Sequence, residues 1–184
     1  PFGTLNYLDE GNHTALVQSR YPSGTVEDWP DTLNFEVDAI DGSSLRIHRL
    51  YTEAEVSDIF TIDIMAEEVV ALSGAGITIS FPSDGLSLDT LTPGPFFSQY
   101  PSQILYFYSE SQSAGFTDLQ LDIATLDQEN DYFSGTGVIA VLEFRADAAG
   151  DYDIKFDGIT TTLRNANNAV IPYEELIDGT VNIE

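Results

Sequence analysis

Leu72-Ser-Gly-Ala-Gly-Ile-Thr-Ile-Ser-Phe81-Pro82 is the stretch whose reading decides the fold. Ile77, Ile79 and Phe81 alternate with Thr78 and Ser80, the period of a strand that buries one face. Pro82 has no amide hydrogen to give a ladder, so the strand ends there. A second stretch, Ser134-Gly-Thr-Gly-Val-Ile-Ala-Val-Leu-Glu-Phe144, has a different signature. Gly135 and Gly137 bracket a turn, and the nearly unbroken apolar run over 138–142 predicts a central strand covered on both sides. Working outward, residues 146–150 form a loop, and Tyr152, Ile154 and Phe156 then alternate with Asp153, Lys155 and Asp157. Short strands follow one another from residue 58 to residue 172 without a helix of ordinary length, which predicts an all-β sandwich.

In this order the pieces resemble the cohesin family, a jelly-roll sandwich of bacterial and archaeal extracellular proteins related in fold to some carbohydrate-binding modules. Phe60-Thr-Ile-Asp-Ile64 resembles the family's first strand, and residues 72–81 resemble its glycine-then-alternating strand. Thr92-Pro-Gly-Pro-Phe96 resembles its Pro-Gly turn, while the glycine-paired run into Phe144 and Asn165-Ala-Asn-Asn-Ala-Val-Ile171-Pro172 resemble its last strands. The resemblance implies an antiparallel jelly-roll β-sandwich over residues 58–184, and a sheet face that holds a partner such as a dockerin helix pair. Two departures stand out: Phe81-Pro82 lacks an intervening Asp, and residues 95–103 form a long insertion.

Residues 1–57 fall outside the resemblance and read as a strand-rich N-terminal extension. His13-Thr-Ala-Leu-Val-Gln18, Leu33-Asn-Phe-Glu-Val-Asp38 and Leu45-Arg-Ile-His-Arg-Leu50 are strand-like, and turns fall at Pro22-Ser-Gly24, Trp29-Pro-Asp31 and Asp41-Gly-Ser43. Three strands alone are marginal, so the segment should pack on the sandwich or on a neighbouring chain. The chain opens at Pro1 with no charged-then-apolar leader, which reads as a processed chain. An N-terminal arm carrying Phe2, Leu5 and Tyr7 would then be a candidate connector into the next subunit of a fibre.

Composition bounds the function. Six Lys and Arg against 31 Asp and Glu give a formal net charge of -25, which opposes phosphate binding and argues against a nucleic-acid partner. Self-repulsion of that size must be offset by the apolar core, by screening salt or by bound cations. The absence of any long apolar run excludes a membrane-spanning helix, and zero cysteines exclude disulfides and thiol chemistry. With its single lysine, Lys155, the composition fits secretion to a cell surface in a salty or calcium-containing medium, or simply an acidic, soluble surface.

No catalytic motif emerges. His13 and His48 are the two histidines, no Gly-x-Ser-x-Gly elbow is present, and His48 reads as a solvated strand histidine. A chain with 31 acids places carboxylates at glycosidase spacing by chance, so the pairs carry no signal. The reading is therefore that of a non-enzyme. It requires no cofactor and leaves calcium as the candidate ligand, at Asp122 with Asp127, Glu129 and Asp131, and at a smaller cluster of Asp38 and Asp41.

Aromatic residues gather at the insertion: Phe96, Phe97 and Tyr100, followed by Tyr106 and Tyr108 in a strand over 103–110. There Leu105 and Phe107 face one way, expected to be the core, and the tyrosines face the other, free for a protein contact or for stacking on sugar. Asn12-His-Thr14 is an N-glycosylation sequon, making Asn12 a candidate glycan site. These observations point to a protein-interaction or structural module of cohesin type, whose partner is a dockerin-like module or further copies of the chain. A carbohydrate-binding module is the alternative.

Overall fold

The computed structural model describes residues 11–37, 42–98, 104–126 and 132–184. In chain order the strands are β1 Gly11–Val17, β2 Asp31–Val37, β3 Ser44–His48, β4 Tyr51–Ala54, β5 Ile59–Pro82, β6 Leu86–Pro93 and β7 Ile104–Ser113. They continue with β8 Phe116–Thr125, β9 Phe133–Ala146, β10 Gly150–Phe156, β11 Thr162–Asn165, β12 Val170–Ile171, β13 Glu175–Ile177 and β14 Gly179–Ile183. One helical turn, α1 Pro95–Ser98, interrupts them.

β5 organises the sandwich because it serves both layers. Its first half pairs with β3 and β9, and its second half with β8, β10 and β11. Register shifts against β9 fall between Ala66 and Leu72, where Glu68 and Ala71 take positive φ values of 48° and 55°. Such bulges bend a strand and raise its twist, which lets one segment pass from layer to layer. The first layer is thus β6, β9, β5 and β3, and the second is β7, β8, β5, β10 and β14, with β11 beside β5.

The core forms between them. Ile62 and Ile64 of the first half and Ile77, Ile79 and Phe81 of the second are all buried with Leu119, Leu121, Leu142 and Phe144. Phe81 meets Phe144 edge-on across the layers, with ring centroids 5.0 Å apart and an interplanar angle of 87°, the favoured geometry for an aromatic pair. β9 is the central strand its apolar run predicts, flanked by β5 and β6.

The N-terminal expectation is divided by the structure. β3 pairs with β5, its Leu45 and Ile47 are fully buried, and β4 lies along β14, so residues 44–54 are built into the sandwich ahead of the expected boundary at 57/58. The alternating Leu45 and Ile47 complete the first layer's core, as burial demands of a one-sided strand. Two ladders are also parallel, β13 with β3 and β14 with β4, so the sheet is not purely antiparallel. The C-terminal strands return beside the N-terminal ones, and the whole sandwich serves as the crossover that parallel pairing requires.

β1 and β2 form a separate two-stranded ladder. Its register places His13, Ala15, Leu33, Phe35 and Val37 on one face and Asn12, Thr14, Asn34 and Glu36 on the other. His13 stacks on Phe35 at 5.7 Å. Trp29, Val17 and Leu33 remain 84%, 64% and 61% exposed. Asn12 is exposed on the polar face opposite Glu36.

Candidate interaction surface

The second layer ends at β7, a strand joined to β8 by the tight turn Ala114-Gly115, both residues having positive φ. That dihedral pair is the one whose twist matches a hairpin, and the ten opposed residue pairs run from Ile104↔Thr125 to Ser113↔Phe116 without a shift. Among the described residues β7 pairs with β8 alone, so it lies at an edge.

Register then fixes which way each side chain looks. Leu105 is opposite Ala124 and Phe107 opposite Asp122; these face Gly74 and Gly76 of β5, which in turn face Arg164 and Thr162 of β11. All belong to the outer face. Tyr106 and Tyr108 are opposite Ile123 and Leu121, which are buried, so the tyrosines lie on the core side at its rim. The expected assignment is reversed: Leu105 and Phe107 point outward and are 54% and 59% exposed, against 41% and 40% for Tyr106 and Tyr108. The core is too narrow to reach the edge strand, so a face that would be buried in a central strand is left open.

The outward set lines a shallow depression of about 290 Å³ bounded by Leu105, Phe107, Gly74, Gly76, Thr162 and Arg164. Its glycine floor keeps the trough open, since neither glycine has a positive φ that would call for it. A Cβ on Gly76 would stand 3.2 Å from Asp122 Oδ1 and 3.4 Å from Thr162 Oγ1, filling the trough. Farther along the same face Thr78, Ser109, Ser111, Asp118, Gln120, Asp157 and Thr160 line a polar depression of about 330 Å³. The Ile159 amide and the Thr160 hydroxyl both donate to Asp157 and hold its carboxyl below the usual range. One continuous face therefore runs from apolar to acidic and hydroxylic.

The other expected site residues are distributed differently. Phe97 is fully buried, edge-on to Phe133 at 5.1 Å, and Phe96 stacks on Phe133 at 5.5 Å while covering Gly137, where a Cβ would meet its ring. Both are packing residues of α1, and neither is offered to a ligand. Asp122, in the outer face, accepts a hydrogen bond from Gln120 Nε2 at 3.1 Å. The proposed calcium partners Asp127, Glu129 and Asp131, the cluster Asp38 and Asp41, the aromatic Tyr100, and the arm residues Phe2, Leu5 and Tyr7 lie outside the described residues. Among the described residues no group of three His, Asp or Glu side chains could hold a metal ion, and no helix is long and apolar enough to cross a membrane.

His48 faces Asp63 across the β3–β5 ladder and lines a polar cleft of about 370 Å³ with Arg49, Thr52, Glu53 and Thr61. It is half-buried rather than solvated, and burial is what pushes its pKa below the ordinary histidine value.

Sequence reasoning missed Gly74, Gly76, Thr162 and Arg164 as surface-forming residues. A signal for the edge was present: Ser109-Glu-Ser-Gln-Ser113 continues β7 with no apolar residue on either face, as only a strand outside the core tolerates.

The fold has solved counterparts. A type II cohesin domain from the cellulosome of Acetivibrio cellulolyticus matches with a TM-score of 0.66 at 20% identity, covering 77% of this chain and 96% of that one. The chain has a cohesin-like fold. The sixth cohesin of Acetivibrio cellulolyticus scaffoldin B, solved in complex with a mutant Cel5 dockerin, matches with a TM-score of 0.64 at 18% identity over 78% of this chain and 100% of that one. The non-cellulosomal cohesin of the archaeon Archaeoglobus fulgidus matches with a TM-score of 0.62 at 15% identity over 78% and 92%. No family model matches the sequence, and no curated protein does.

Proposed function

We propose that this cohesin-like chain is a non-catalytic protein-interaction module of the cell surface, and that it holds its partner on the outer face of β7, β8, β5 and β11. The observation that carries the reading is the outward pair Leu105 and Phe107 beside the glycine floor Gly74 and Gly76, an open and mainly apolar trough. Large apolar side chains flanked by polar groups suit the buried centre and polar rim of a protein interface. A dockerin-type helix pair is the partner class suggested by the solved cohesin complexes. The trough is open and shallow, so it suits a docked helix better than an engulfed small molecule. Export is supported by the acidity and by the likeness in fold to scaffoldin cohesins.

A second reading, assembly into fibres or surface layers, draws on the apolar face of the β1–β2 hairpin, where Val17 and Leu33 stay exposed and a two-stranded ladder needs further support.

Hydrogen–deuterium exchange of the chain with a dockerin-type module or another extracellular protein of the same organism tests the first reading. Protection over residues 72–82 and 104–126 is expected. Protection confined to β3, β6 and β9 would overturn it, and protection of β1 and β2 alone would favour the fibre.

A further inference from the structure

We infer that the free edge of β7 is a strand-addition site whose occupant is β7 of a second copy, so that two chains join into one continuous sheet about a two-fold axis. This surface is the edge of the layer and is distinct from the face proposed above.

The edges of the sandwich are guarded unequally. β6 is a second long edge strand, but a register shift interrupts it between Leu88 and Thr90, it carries Asp89 bound to Arg145, and it closes on Pro93. β4 has four residues, β13 three and β12 two, too short to template a partner. β7 has ten residues in unbroken register, no proline, no lysine, no bulge and one charge, Glu110. A long, flat, unguarded edge presents a row of amide donors and carbonyl acceptors, the feature that soluble proteins suppress unless it is used. Apolar side chains are exposed on both of its faces, Leu105 and Phe107 outward and Tyr106 and Tyr108 inward.

The second copy is favoured by self-complementarity. Of the antiparallel pairs that keep both outer faces on the same side, the two of longest overlap place Tyr108 or Ser109 on the two-fold axis. In the first case Glu110 stands opposite Tyr106, and in the second opposite Tyr108, so neither pairing sets the strand's one charge against itself. Both put the two Leu105–Phe107 troughs on one extended face, offset along the joined strands. The opposing force is the net charge of -25 on each copy. Its reach shrinks from about 10 Å at 0.1 M salt to about 3 Å at 1 M, so association is a high-salt property.

Because the chain has no cysteine, single-cysteine variants report on this contact cleanly. In 2 M sodium chloride, Tyr108→Cys or Ser109→Cys should give covalent dimers with a short thiol-reactive cross-linker, and Ile59→Cys, exposed in the first layer beside β9, should not. Sedimentation of the unmodified chain should shift from monomer to dimer with added salt, and Tyr108→Glu, which faces either itself or Glu110 across the axis, should return it to monomer. A chain that stays monomeric at millimolar concentration in 2 M salt would overturn the inference. So would cross-linking of Ile59→Cys to the same extent, or a dimer that persists in both Tyr108→Glu and Ser109→Pro.

Discussion

Phe107 of β7 stands directly opposite Asp122 of β8 on the outer face, and Asp122 stands opposite Gly76 of β5. An exposed ring, a carboxylate and a missing side chain thus form one row. The row shows how the fold makes a docking surface: the core packs behind Ile77, Leu121 and Ile123, leaving the alternate positions free of structural duty.

The division between packing and surface aromatics predicts opposite responses to truncation. Phe97→Ala, which empties a fully buried site, should cost about 3–5 kcal/mol in urea unfolding. Phe107→Ala should cost about 0.5 kcal/mol or less, since it removes an outward side chain. Similar losses at the two sites would mean that the orientation of β7 is wrong.

Glu67 is 3% exposed, where it pairs with Arg46 and accepts a hydrogen bond from the Ser44 hydroxyl at 2.9 Å. Glu67→Ala leaves the partly buried Arg46 without its counter-charge and the Ser44 hydroxyl without its acceptor, and should destabilise by about 1–3 kcal/mol. Replacing both partners with Leu and Met should recover most of that loss, as denaturant melts of the single and double variants would show.

His48 gives the stability a pH dependence of fixed sign. Burial lowers its folded-state pKa below the unfolded value of 6.5, against the opposing pull of Asp63, so the unfolded chain binds the proton more readily. The contribution is complete above the unfolded pKa and is lost as pH falls through the folded one. Chemical melts between neutral pH and mild acid should show a shallower decline for His48→Gln than for the unmodified chain. An identical slope in the two proteins would exclude His48 as its source.

Salt should stabilise the monomer. With a net charge of -25, the chain repels itself on compaction, and screening relieves the folded state more than the expanded one. The melting temperature at micromolar concentration is expected to climb between 0.1 M and 1 M sodium chloride. A flat or falling trend would mean that the acids are already compensated locally.

Periodicity made the core legible before the structure. Ile77, Ile79 and Phe81, the run into Phe144, and Ile154 are buried as their alternation demands, because burying one face imposes a period that few other constraints produce. The edge strand was read the wrong way round for a related reason. Leu105-Tyr-Phe-Tyr108 is apolar on both faces, and alternation cannot say which face meets the core when the core stops one strand short. The strand character of Leu45 to Leu50 was legible, but its choice between the sandwich and a neighbouring chain was not, because that depends on its partners β5 and β13, which local sequence does not name. The depression is equally non-local: Gly74, Gly76, Thr162 and Arg164 acquire a role only when β11 is laid beside β5.

The central claim is tested most directly by the Kd of a captured partner for the unmodified chain, Phe107→Asp, Gly76→Val and Ile59→Asp, measured by calorimetry on folded samples. The account predicts at least about 30-fold weaker binding for Phe107→Asp, the mark of an interface hot spot, a similar direction for Gly76→Val, and no change for Ile59→Asp, which is exposed in the first layer. Unaltered affinity in both Phe107→Asp and Gly76→Val would contradict it.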